Sequence, residues 1–485
     1  MTAFLALCLA FAMIQLDVTV VYTALPAIGD SLQAPAASLT WVVDAYTIAF
    51  AALLVTGGAL GDRLGGRRVF QLGLLLFGLA SAACAAAPNL AVLAVARLVQ
   101  GIGAAVALPT SLSLLNVAYP DAERRNRMVA WWAAVGSIAA AIGPVLGGTL
   151  TDLLGWRSLF LVNVPVVALG VLLVRKALPP DADRNPATGS RLDPIGQLLA
   201  ALALGAGVAA IIERSVPLAA IGVAAAAAFV LAERRVRHPM IPGDLFAHNE
   251  FRAAIFVGAA LNFGTYGQLF LMAFYFQRLQ GYSPSQAGLA TTPELIASIA
   301  AAVLATRLLG RFGRMPLIIA GTGIATVGLL VLAIFHRPVG YALLLGPIMA
   351  IGFGTALAVP AATATALTAG GSGYAGVASG LFNASRQFGG SIGLAVFGAL
   401  TAATFLPGFR LSMLCGAAVM ISAALATALA TRRSGRGRRG TAVDNPESPG
   451  TGQLPSNNGA QPRQSGRAEL AIQGRLRRVG QPTRR

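Results

Sequence analysis

Charge is what this chain has least of. Asp, Glu, Lys and Arg make up 11% of its 485 residues, against roughly 25% in soluble domains. The deficit falls in long apolar runs, each near the roughly 20 residues that cross a bilayer. With 56% hydrophobic residues, this argues against soluble globular packing. Cysteine is also scarce. Cys8, Cys84 and Cys415 all lie in apolar segments, with no metal-ligand spacing and no disulfide framework. His238, His248 and His336 fall in or near predicted loops and read as solvated. A GxxxxGK[ST] sequence is missing, so direct drive by ATP is not expected. No nucleophile–base pair stands out, so neither an enzyme activity nor a cofactor or metal is expected. The N-terminus lacks a basic leader and a small-residue cleavage site, so residues 3–27 read as a first spanning helix rather than a removable signal.

The net charge of +18 invites a nucleic-acid reading, and its distribution opposes one. Half the excess lies between Arg432 and Arg485, where 12 arginines face Asp444, Glu447 and Glu469. That stretch is rich in Pro, Gly and Ser, a composition expected to be disordered. A cytoplasmic tail near anionic lipid headgroups accounts for it, and no nucleic-acid partner is expected.

Fourteen apolar segments can be marked, at about 3–27, 41–61, 69–87, 91–118, 128–150, 158–174, 193–212, 217–232, 253–277, 285–306, 316–335, 339–360, 376–400 and 411–430. The positive-inside rule tests the count. With the N-terminus in the cytoplasm, the cytoplasmic loops hold 17 basic residues before the tail and the opposite loops hold 5, Arg157, Arg214, Arg278, Arg337 and Arg410. A miscounted helix would scramble that asymmetry, so both termini are expected inside. Weak internal symmetry also appears. Gly61-Asp62-Arg63-Leu64-Gly65 follows the second segment, and Leu309-Gly310-Arg311-Phe312-Gly313-Arg314 follows the tenth. Parallel six-helix repeats are a transporter signature, with the substrate site between the halves.

Several ionisable residues interrupt the apolar runs: Asp17, Asp44, Arg97, Glu294 and Arg386. A charge in hydrocarbon is costly, and it marks a cavity or an ion or substrate path. A carboxylate desolvated there can exchange protons near neutral pH, and can hold either a proton or a cation. Asp44 also allows a plain reading, as a solvated group near the outer surface. Glu294 follows Pro293 mid-segment and is a candidate contact for a cationic substrate. Arg97, Gln100, Gly101 and Ala104 share one helix face. Ala139, Gly143 and Gly147 form a small-residue face that permits close packing, and Pro144 can kink that helix. Asn262 and Tyr266, with Thr265, make a polar patch on the ninth segment. In the loop Gly58 to Arg68, Asp62, Arg63 and Arg67 either brace neighbouring helices or simply hold the loop inside.

These residues carry a resemblance. The Gly58–Arg68 loop resembles the signature between helices two and three of the major facilitator superfamily, with Gly66 standing where that family usually has Arg or Lys. Arg97-Leu98-Val99-Gln100-Gly101-Ile102-Gly103 resembles its fourth-helix motif. Gly143-Pro144-Val145-Leu146-Gly147-Gly148 resembles the fifth-helix motif of its antiporters. Leu16-Asp17-Val18-Thr19 with Ala24-Leu25-Pro26 is similar to the first helix of its drug/proton antiporters. Trp156-Arg157, Phe160-Leu161-Val162-Asn163-Val164-Pro165, Gly281-Tyr282-Ser283-Pro284, and Ala378-Ser379-Gly380 with Asn383 and Arg386-Gln387 are similar to its fourteen-helix branch.

The resemblance covers roughly residues 10–430 and implies an all-α polytopic fold of two six-helix bundles plus two extra helices. The expected divisions are 1–175, 176–250 for the inserted pair, 251–431, and a tail at 432–485. It implies that Arg97 faces the central cavity and takes part in proton coupling with Asp17 of the matched first-helix motif. It also implies a gating loop at Asp62, Arg63 and Arg67 and a seal at Gly143, Pro144, Gly147 and Gly148. Asp44, as an intramembrane carboxylate, is expected to share the coupling. Glu294, Asn262, Tyr266, Asn383 and Arg386 are expected around the substrate. The expected activity is proton-coupled export of small amphipathic compounds across the plasma membrane, by a monomer. Two alternatives stay open: an exporter of a single metabolite or self-made antibiotic, and a non-transporting membrane sensor or scaffold.

Overall fold

A computed structural model describes residues 2–119, 121–178, 194–235, 243–335 and 337–440. His238 and His336 lie outside the described residues, as does the tail beyond Gly440. Every regular element among the described residues is helical. Sixteen α-helices run α1 Thr2–Leu32, α2 Thr40–Leu64, α3 Gly66–Ala86, α4 Leu90–Ala118, α5 Ala122–Leu154, α6 Ser158–Leu161, α7 Asn163–Ala177, α8 Pro194–Ile212, α9 Val216–Arg235, α10 Gly243–Ala247, α11 Asn249–Phe274, α12 Pro284–Ala290, α13 Thr292–Phe312, α14 Arg314–Ile334, α15 Tyr341–Thr401 and α16 Phe405–Gly440. A π-helical turn, Tyr275–Leu279, continues α11. In hydrocarbon each backbone polar group must find its partner within the protein, and a helix does so within one segment.

Among the described residues, twelve helical stretches are long and apolar enough to span a membrane. Two expected segments are not among them. One is 41–61, which contributes the shorter apolar stretch Thr40–Leu54; the other is 376–400, which forms the second part of the 61-residue helix α15. Large apolar side chains such as Leu153 (74% exposed), Leu79 and Val223 face outward. An outer surface of that kind fits lipid rather than water.

Helix ends follow local chemistry. Asn89 accepts from the Val92 N–H at 3.0 Å and starts α4. Asp121 does the same for α5 through Arg124 N–H. Ser283 and Gln286 form a reciprocal capping box at α12. The two Gly-rich basic loops each turn on one glycine, Gly65 at φ +97° and Gly313 at φ +80°, a conformation that L side chains rarely adopt.

Helices α1 and α11 are central. Their apolar windows are 67% buried, against 17% for α9. In the first half, α1 packs on α5 and α7, and α2 and α3 pack on α4. In the second half, α15 packs on α11, α13 and α14. The halves meet where α5 crosses α12 and where α2 meets α15. Helices α8 and α9 pair with each other, and α8 lies against both α2 and α15. Ile48, Leu204, Val208 and Ala395 form the small core there.

Candidate functional site

Asp17 and Arg97 meet in the interior of the first half. Both are fully buried, and Nη1 of Arg97 lies 2.5 Å from Oδ2 of Asp17. Their neighbours complete a polar network. Arg97 also donates through Nε to the Val42 carbonyl at 2.7 Å and through Nη1 to Gln100 Oε1 at 2.8 Å. Oδ1 of Asp17 accepts from Gln100 Nε2 at 3.0 Å and from Asn163 Nδ2 at 2.8 Å. Both amides also donate to Ser81, whose hydroxyl donates to the Phe160 carbonyl. The guanidinium carbon sits 4.4 Å from the centre of the Tyr46 ring. Six helices, α1 to α4, α6 and α7, therefore converge on one ion pair. Close approach makes this possible: a Cβ on Gly101 would lie 2.3 Å from the Tyr46 carbonyl oxygen, so α4 touches the α2 backbone. The resemblance implies that Arg97 faces a cavity; in this structure it faces Asp17 and has no exposed surface.

Asp44 lies elsewhere. It is fully buried on α2, not solvated at a surface. Neither of its oxygens has a hydrogen-bond partner among the described residues. Ser391 of α15 stands beside it, outside hydrogen-bonding geometry. Tyr22 of α1 is within electrostatic reach of Asp44 and faces Tyr266 of α11, with ring centres 6.0 Å apart. This polar strip therefore lies between the halves.

Glu294 forms a third locus. It is 8% exposed and accepts from Gln268 Nε2 at 3.4 Å. It lines a cavity of about 130 Å³ with Thr19, Pro144, Leu269, Leu295 and Ser298, contributed by α1, α5, α11 and α13. Further along α11, Asn262 accepts from Arg386 Nε at 3.3 Å. Thr265 pairs with Thr355 at 3.0 Å. Asn383 is exposed and bonded to the Ser379 carbonyl of its own helix.

Gly143, Pro144, Gly147 and Gly148 lie where α5 meets α1 and α12. A Cβ on Gly147 would lie 2.2 Å from the Val20 carbonyl oxygen, and one on Gly148 would lie 2.1 Å from that of Pro284. Gly288 answers from α12, against the Pro144 carbonyl. Asp152 accepts from Ser283 Oγ and Ser285 N–H, each at 2.8 Å. Gln277 donates to the Thr23 carbonyl at 2.8 Å, and Arg278 pairs with Asp30. All these contacts close the end of the molecule that carries the C-terminus of α1. In the basic loop, Arg67 donates to the Arg175 carbonyl at the end of α7. Arg63 is half-buried, and the side chain of Asp62 lies outside the described residues.

Sequence reasoning gave no role to Ser81, Asn163, Gln268 or Ser391. Each is a polar residue inside an apolar run, which was the available signal, and Asn163 stands within a quoted motif. A single hydroxyl or amide per helix does not show which neighbour it will meet.

Comparison with known proteins supplies the family. A profile described as Major Facilitator Superfamily matches residues 7–394. The chain is 36% identical over 434 residues to the Methylenomycin A resistance protein of Bacillus subtilis (strain 168), covering 87% of this chain and 92% of that protein. It is 37% identical over 404 residues to the Multidrug resistance protein Stp of Mycobacterium tuberculosis (strain ATCC 25618 / H37Rv), covering 81% and 74%. It is 35% identical over 398 residues to the Puromycin resistance protein pur8 of Streptomyces alboniger, covering 79% and 78%. The fold is similar to that of a bacterial homologue of the human lysosomal transporter Spinster, solved in an inward-facing and occupied conformation. The TM-score is 0.65 at 16% identity, over 88% of this chain and 96% of that one. The chain therefore belongs to the Major Facilitator Superfamily and is a multi-pass membrane transporter of small molecules, not an enzyme.

Proposed function

We propose that this protein exports small amphipathic compounds, such as drugs, dyes or antibiotics, across the plasma membrane in exchange for protons. The buried Asp17–Arg97 pair carries the reading. It places a carboxylate where protonation changes the charge at the meeting point of six helices, and the relatives' names supply the cargo class. In this reading, a proton on Asp17 removes the counter-charge of Arg97. The guanidinium then redistributes among Val42, Gln100 and the Tyr46 face, and α1 shifts against α4 and α7. Asp44, between α2 and α15, is a second proton-coupling residue. Glu294, Asn262, Tyr266, Asn383 and Arg386 surround the substrate path.

The architecture in this reading is fourteen spanning helices, with bundles at 1–175 and 251–431 joined by an inserted pair within 176–250. Residues 432–485 form a basic cytoplasmic tail beside anionic lipid. Both termini are inside and the protein works as a monomer. The loop residues Asp62, Arg63 and Arg67 brace the inner face. The seal at the C-terminal end of α1 supports an inward-open state, and alternating access rocks the halves about the midplane.

The test is growth of a pump-deficient bacterium expressing the chain, across dyes and antibiotics that include methylenomycin A and puromycin. Transport by reconstituted protein under an imposed pH gradient follows. No protection against any compound, with the protein present in the membrane, would refute export. Export that ignores the pH gradient would refute the proton exchange. A second reading, a dedicated exporter of one antibiotic, is favoured by relatives named for single compounds. Protection confined to one compound would select it.

A further inference from the structure

Pro144 leaves a gap in α5. In a regular helix the Ala140 carbonyl accepts from the N–H four residues on, and proline has none. Thr19 of α1 fills the gap, with its hydroxyl donating to the Ala140 carbonyl at 2.8 Å. The alternative acceptor on its own helix, the Leu16 carbonyl, is more distant at 3.2 Å. One turn on, Thr23 donates to the Pro144 carbonyl at 3.2 Å. Both threonines are buried, and their i,i+4 spacing puts them on one face of α1. Glycines make the room: a Cβ on Gly143 would lie 1.9 Å from Thr19 Oγ1.

This α1 face is distinct in its partners from Asp17, which bonds to α4 and α7. The next turn of α5 carries Gly147 and Gly148, and Gly148 and Asp152 close the seam with α12. Helix α1 thus touches the ion pair through Asp17 and the seam helix through Thr19.

We propose that the Thr19 hydroxyl, seconded by Thr23, is a positioning group that makes α1 and α5 move as one body and carries the state of the Asp17–Arg97 pair to the α5–α12 seam. The trigger rests on the proton-exchange reading above; the clamp does not. Without the hydroxyl, the Ala140 carbonyl beside the Glu294 cavity loses the donor that stands in for the missing N–H, and α5 keeps only the weaker Thr23 tether to α1.

The experiment places spin labels on exposed positions either side of the seam, Leu153→Cys on α5 and Leu289→Cys on α12. Cys8, Cys84 and Cys415 are replaced by alanine in the full chain. Distance distributions are recorded in proteoliposomes at acid and alkaline pH. Thr19→Val keeps the shape and removes the donor. It is expected to raise the separated-seam population about fivefold, the net effect of one lost hydrogen bond, and to flatten its response to pH. Thr19→Ser should match the parent. Thr23→Val should act in the same direction more weakly, and serves as the test if Thr19→Val does not fold.

Pro144→Ala restores the missing N–H, so in that background Thr19→Val should change the population less than about twofold. Parent-like distances in Thr19→Val, or an undiminished effect in the Pro144→Ala background, would overturn the clamp. If the parent seam ignores pH, the proton trigger fails, while the valine–serine contrast still decides the clamp.

Discussion

Asp17→Asn is a substitution of nearly unchanged shape at a fully buried ion pair, and its cost can be reasoned from the network. The amide cannot balance the guanidinium, and Arg97 cannot shed its own charge. Arg97 keeps the Val42 carbonyl, the Gln100 amide oxygen and the Tyr46 face. Both amide donors to Oδ1, Gln100 and Asn163, would also lose that acceptor if the new amide turned its NH₂ toward them. Breaking a buried pair from one side costs about 3–5 kcal/mol, most of it the penalty of the stranded charge.

The double variant Asp17→Asn/Arg97→Gln strands no charge, so most of that loss should return. The native cysteines make the measurement simple. Cys8 and Cys84 are buried, and Cys84 lies 3.6 Å from Gln100 within the network. A thiol-reactive fluorophore then reports the thermal unfolding of purified protein. The expected order of unfolding temperature is wild type, then the double variant, then Asp17→Asn. In liposomes Asp17→Asn should not accumulate substrate against its gradient under an imposed pH difference. A single variant as stable as wild type, or less damaged than the double, would show that the pair is not the centre described here.

Four further outcomes are expected. Arg97→Ala should abolish pH-driven efflux while the protein still inserts, and Arg97→Lys should be partly active because a point charge does not reproduce the guanidinium fork; reconstituted transport separates them. Asp44→Asn should retain membrane levels and lose pH-driven accumulation, whereas Glu294→Gln should change which compounds are exported in a resistance panel. Gly148→Ala places a Cβ about 2.1 Å from the Pro284 carbonyl, so cross-linking between α5 and α12 should fall and transport should slow by at least tenfold. Truncation after Arg439 should leave efflux at the wild-type level when normalised to protein in the membrane, because 440–485 has no spanning segment and a disordered composition.

The all-helical membrane fold was legible because hydrocarbon imposes a coarse rule on composition: long apolar runs with charge in the loops. The Gly-rich basic loops were legible for the same reason, and Gly65 and Gly313 do turn the chain with positive φ. Partnerships were not legible. Arg97 and Asp17 are 80 residues apart, and no local pattern states that an arginine on α4 meets a carboxylate on α1. Asp44 shows the same limit. Three residues after Trp41, it reads equally well as an interfacial solvated group, and the packing of α2 against α15 is what buries it. The helix count also depends on tertiary context, since 339–400 reads as two segments and forms one 61-residue helix.

Helices α8 and α9 give the bundle two unlike flanks. On one flank α8 lies over the line where α2 meets α15, tied there by Trp41 to Glu213 and by Arg214 to the Ala399 carbonyl. On the other, α5 packs on α12, Ile142 of α5 and Ile296 of α13 both face outward, and α5 and α13 both line the cavity of Glu294. A compound dissolved in the bilayer thus meets a covered wall on the first flank and, among the described residues, the outward faces of α5 and α13 beside the cavity on the second. The prediction is lopsided labelling: a photoactivatable lipophilic substrate should mark α5 and α13 well above α2 and α15, and even labelling of both flanks would refute it. Helices α8 and α9 would then act as a blind on one flank, so that oily cargo has a single door.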